Sequence, residues 1–115
     1  ASAHYLVDRD GQVGQLVREG DVAFHTARAL EPRYENAASI GIELLHRTGE
    51  PYPPAQLDAL VQLLADVAGR LRVDTAHIRT HAEVVRPPGS KRDGADLDLA
   101  AIRRRVAERL VVARR

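Results

Sequence analysis

The chain of 115 residues has no cysteine, methionine or tryptophan, and its aromatic side chains are three tyrosines and one phenylalanine. Without cysteine neither a disulfide framework nor a thiolate zinc site can form, and the redox setting stays open between secreted or cell-wall and cytoplasmic locations. So few aromatics argue against a nucleic-acid partner, because a basic stripe would need aromatic or glycine partners to hold bases. The formal net charge is only +1. Arg103, Arg104, Arg105, Arg109, Arg114 and Arg115 crowd the C-terminal end, where they read as the polar face and end of a last helix, complementing its dipole. The longest apolar runs are too short to span a bilayer, so no membrane partner is expected. Lysine is nearly absent too: Lys91 stands alone among seventeen basic residues.

What is present suffices for one folded domain, since 44% of the residues are hydrophobic, enough for a single core at this length. His4 to Val7 reads as a strand, Asp8 to Gly11 as a tight turn and Gln12 to Val17 as the returning strand of a hairpin. Gly20 to Pro32 lacks periodicity and reads as an irregular loop around Phe24, His25 and Thr26. Ser39 to Leu45 has the length of an inner strand, with Glu43 as its one acid. A helix starts at Pro51 to Pro54, with Leu57, Leu60, Val61, Leu64, Val67, Ala68 and Leu71 at helical spacing. Val73 to Thr80 is expected to form a turn and a strand delivering His81 at its end. A final helix from about Asp98 buries Leu99, Ile102, Val106 and Leu110. The expected fold is α/β, a single-domain mixed β-sheet flanked by helices, with the site at the strand ends.

The richest stretch chemically runs from Thr80, His81, Ala82 and Glu83 through Pro87, Pro88 and Gly89 to Lys91, Arg92 and Asp93. A neutral imidazole and a carboxylate are two of the three protein ligands a catalytic zinc commonly uses, with water in the open position. Lys91 adds a cation where a hydrolytic oxyanion could form. Glu43 admits two readings: buried, it would have a raised pKa suited to proton transfer, whereas on a half-exposed sheet it would simply face solvent. Lys91 likewise reads either as an oxyanion partner or as a solvated loop residue. His46 and His77 have no motif around them and read as surface histidines.

His-Tyr-Leu-Val-Asp-Arg-Asp-Gly at 4 to 11, Phe-His-Thr-Ala at 24 to 27, Asn36, Ser-Ile-Gly-Ile-Glu-Leu at 39 to 44, the long helix and His81 to Asp93 follow one another in an order that resembles the zinc N-acetylmuramoyl-L-alanine amidases. These form the type 2 amidase family, related to phage lysozyme-type amidases and peptidoglycan recognition proteins. The resemblance implies hydrolysis of the amide between N-acetylmuramic acid and L-alanine, with peptidoglycan or a muramyl-peptide as partner and zinc as cofactor. It matches His81 and Asp93 to metal ligands, Glu43 to the acid/base, Lys91 to the transition-state cation and His25 to a cleft-lining, substrate-binding histidine.

Two departures accompany it. The segment from His81 to Asp93 is longer than is usual for the family, and Gly94 stands where a proline is expected, so Asp96 and Asp98 compete with Asp93. The histidine that serves as the family's first ligand lies upstream of Ala1. The 1–115 domain is therefore expected to lack an upstream segment, with His4 or His25 as local substitutes. The rival expectation is a peptidoglycan-binding module that has lost its metal.

Overall fold

The computed structural model describes residues 3–21, 39–47, 49–84 and 94–113. Within them the hairpin forms as the sequence predicts, with shorter strands: β1 is Tyr5–Val7 and β2 is Val13–Gln15, antiparallel, with Leu6 opposite Gly14. Asp8 builds the turn by accepting the backbone N–H groups of Asp10 and Gln12 at 2.9 and 2.8 Å. Gly11 closes it at φ 87°, where an added Cβ would lie 2.7 Å from the Ala55 carbonyl oxygen. Only glycine fits both that dihedral and that approach.

β3, Ile42–Leu44, runs parallel to β1, giving a mixed sheet in the order β2-β1-β3. The expectation of an inner strand is not met among the described residues, where β1 is central and β3 pairs with it alone. Side chains alternate across the sheet. Tyr5 and Val7 are buried, and Ile42 and Leu44 pack toward the core, so Leu6 and Glu43, paired with each other, share the opposite face.

The long helix α1, Pro54–Leu71, carries its proline at the first turn, where no intrahelical N–H is needed, and ends at Arg72 in a left-handed conformation. Leu60, Val61, Val67 and Ala68 are buried, while Leu71, at the end of the predicted stripe, is exposed. α1 also buries a polar residue that apolar periodicity overlooks. Gln56 is fully buried, and its amide N–H group donates to the carbonyls of Val7 and Leu45 at 3.0 Å each, clamping the parallel strands together where they end.

The strand expected over Val73 to Thr80 is absent. A single 3-10 turn, Thr75–His77, capped by the Asp74 carboxylate, leads through extended backbone into α2, His81–Val84. The last helix, α3, spans Leu99–Ala113. Its Ile102 and Val106 join Leu60 and Val61 in the central cluster, and Arg105 pairs with Asp58 of α1 at 2.7 Å. Among the described residues no helix is long and apolar enough to cross a membrane.

Candidate active site

His81 opens a helix instead of ending a strand. Thr80 caps α2: its hydroxyl accepts the Glu83 N–H at 3.3 Å, and the Glu83 carboxylate accepts the Thr80 N–H at 3.0 Å. This reciprocal pair is the capping box of a Thr-x-x-Glu sequence. Arg103 of α3 holds the approach to it, donating Nε and Nη2 to the Ile78 carbonyl at 2.9 and 2.5 Å. His81 is thereby half-buried with its Nε2 sealed from solvent. A half-buried imidazole on a doubly fastened turn is suited to hold a cation in one place.

Glu43 stands exposed at the middle of β3, between the inward-facing Ile42 and Leu44. Its exposure removes the premise of a costly buried carboxylate. What remains is a carboxylate displayed on the sheet face away from α1, open to a ligand.

His25, Lys91 and Asp93 lie outside the described residues. Among the described ones no three His, Asp or Glu side chains converge as a metal-binding group. The residue after Asp93 makes a close contact. Gly94 adopts φ 79°, and a Cβ there would lie 3.1 Å from the Thr80 side chain, so the neighbour of Asp93 packs against the neighbour of His81. That dihedral also accounts for glycine at this position, since proline is locked near −65°.

The competing carboxylates are engaged elsewhere. Asp98 caps α3 by accepting the Ala101 N–H at 3.1 Å. Asp96 accepts the Tyr52 hydroxyl at 2.8 Å and faces His46 Nε2 at 3.8 Å. The Tyr52 hydrogen bond holds Asp96 below the usual carboxylate range, and burial, with Asp96 second, pushes the Tyr52 phenol up. His46 corrects its surface reading: its side chain is 8% exposed, stacked on Tyr52 with ring centres 3.7 Å apart, and bonded to the Glu50 carbonyl at 2.6 Å. His77 is exposed, as expected.

His4 does not serve as a substitute ligand. It is 1% exposed, its Nδ1 accepts the Gly41 N–H at 3.0 Å, and its Nε2 donates to the Asp21 carbonyl at 2.8 Å. With both ring nitrogens committed to backbone, it fastens the residues after β2 to those before β3. A groove of about 690 Å³ between α1 and α3, lined in part by Val61, Ala65, Arg105 and Leu110, carries none of the predicted site residues.

The hairpin, parallel third strand and capped histidine turn belong to one α/β domain. The N-acetylmuramoyl-L-alanine amidase family model matches residues 1–95, and the chain belongs to this type 2 amidase family. It is 30% identical over 101 residues to the N-acetylmuramoyl-L-alanine amidase AmiD of Escherichia coli K12, covering 72% of this chain and 37% of that protein. It is 34% identical over 85 residues to the 1,6-anhydro-N-acetylmuramyl-L-alanine amidase AmpD of Enterobacter cloacae, covering 72% of this chain and 46% of that one. A crystal structure of an AmpD derivative superposes with a TM-score of 0.79 at 29% identity, over 90% of this chain and 58% of its own. The solution structure of Citrobacter freundii AmpD gives 0.70 at 29% identity, over 94% and 58%. The chain thus spans less than half the length of these two curated relatives.

Proposed function

We propose that this chain is the core of a zinc-dependent amidase that hydrolyses the bond between N-acetylmuramic acid and L-alanine in peptidoglycan or its soluble fragments. The observation that carries the reading is the contact of Gly94 with Thr80, which joins the neighbours of the two candidate ligands. The donor set fits zinc: a buried imidazole nitrogen at His81 and, with Asp96 and Asp98 committed, Asp93 as the carboxylate of choice. The third ligand comes from an upstream segment bearing a histidine. His4, with both nitrogens bonded, argues against a local replacement from the hairpin.

When bound, zinc supplies water of lowered pKa and polarises the scissile carbonyl. Glu43 takes the proton of the attacking water and returns it to the departing alanine nitrogen, a role open to a solvent-facing carboxylate on a rigid strand. The role we assign to Lys91 is to stabilise the negative charge that develops on the carbonyl oxygen, and that of His25 is to bind substrate.

The test compares zinc content and muramyl-peptide cleavage in the chain extended by its upstream strand. His81→Ala should abolish stoichiometric zinc. Glu43→Gln should keep zinc and lose roughly a hundredfold or more in rate. Unchanged zinc in the first variant, or wild-type cleavage in the second, would refute the assignment. Muramyl-peptide binding without metal in the wild type would favour a non-catalytic binding module.

A further inference from the structure

The chain that follows Asp93 is fastened at more than one point. Gly94 abuts Thr80, and Leu97 N–H closes a turn onto the Gly94 carbonyl at 3.0 Å. Asp96, inside that turn, reaches back 44 positions in sequence to the Tyr52 hydroxyl. Tyr52 is held in turn, its ring stacked within 8° of parallel on His46, which is pinned by the Glu50 carbonyl. The connection between β3 and α1 therefore grips the chain three residues beyond Asp93.

We propose that Tyr52 is a positioning residue which, through Asp96, holds the turn from Gly94 to Leu97, where the chain leaves Asp93, against the His81 turn. The inference rests on the zinc amidase reading and assigns a task to three side chains that this reading does not otherwise use. The role assigned to Tyr52 runs through Asp96 and needs no contact with metal or substrate. The phenol suits the task because its ring is stiff, with two side-chain torsions, and its hydroxyl donates to a carboxylate, the stronger kind of hydrogen bond.

Tyr52→Phe removes the hydroxyl and leaves the His46 stack. Calorimetric titration of Zn²⁺ into the chain extended by its upstream strand should show affinity falling about tenfold, the low end for partners that orient metal ligands indirectly. In muramyl-peptide turnover kcat should fall with KM little changed. Hydrogen exchange in the metal-free protein should quicken at the Leu97 amide while the amides of α1 stay as in the wild type. Arg105→Ala, which breaks the ion pair with Asp58 between α1 and α3, should leave zinc affinity unchanged and so exclude a general stability effect. Wild-type exchange at Leu97 in Tyr52→Phe overturns the tether whether or not zinc binds. Faster exchange with wild-type zinc affinity overturns the positioning role. Faster exchange in a wild-type background that takes up no zinc overturns the amidase reading, and with it the role assigned to the tether.

Discussion

Acid should weaken the domain through Glu19, by an amount the structure allows to be worked out. The residue follows β2, and its carboxylate accepts Arg70 Nη1 and Nη2 of α1 at 3.0 and 2.7 Å as well as the Tyr5 hydroxyl of β1. Arg70 is braced by Asp66 at 2.9 Å. This fork, seconded by Tyr5, lowers the Glu19 carboxyl from its ordinary 4.5 to about 2. The folded pKa lies below the unfolded one, so the stabilisation is complete above pH 4.5 and is lost as pH falls toward about 2. Full linkage over that interval gives about 3 kcal/mol. Glu19 is 17% exposed but Arg70 is 47% exposed, and solvent screening at the arginine reduces the figure to about 1–2 kcal/mol.

Urea unfolding of the wild type and Glu19→Gln at several pH values between 7 and 2 measures it. Glutamine keeps the shape and can still accept a hydrogen bond, but it carries no charge to titrate. The wild type should lead by about 1–2 kcal/mol at neutral pH, and the difference should shrink steadily as pH falls from 4.5 toward about 2. A difference that stays constant down to pH 2 would refute the reasoning, since it would come from packing and not from the ionised carboxylate.

The elements legible in the sequence are those set by local chemistry. Asp8 and Gly11 announce the hairpin turn, Pro54 and the Leu60, Val61, Val67 and Ala68 spacing announce α1, and Ile102 and Val106 announce α3. The alternation Ile42, Glu43, Leu44 correctly left open a solvent-facing glutamate, since burial on one face is decided by which side the helices cover. The start of α2 is legible in the capping box Thr80-His81-Ala82-Glu83, although the apolar Val73 and Ile78 before it suggest a strand running up to Thr80. The remaining surprises depend on contacts distant in sequence. Nothing near His46 foretells that Tyr52 will cover it or that Asp96 will face it. Gln56 reads as a polar interruption of the α1 stripe until two strand-end carbonyls meet its amide. His4 looks like a spare metal ligand because a sequence cannot show that Asp21 and Gly41 occupy both of its nitrogens.

Two further outcomes separate the core from the site. Val106→Ala removes two methyl groups from a fully buried position in the α1–α3 cluster; it should lower unfolding free energy by about 2 kcal/mol in urea titration, with zinc affinity unchanged. Gly94→Pro should act in the opposite way. The φ of 79° at Gly94 is closed to a proline ring, so the backbone must turn away from Thr80. The loop begins to shift at the residue after Asp93, while the central cluster of α1 and α3 is untouched, so zinc affinity should fall at least tenfold with only a small change in the urea midpoint. Wild-type zinc affinity in Gly94→Pro would mean that the Thr80 contact does not govern where Asp93 sits.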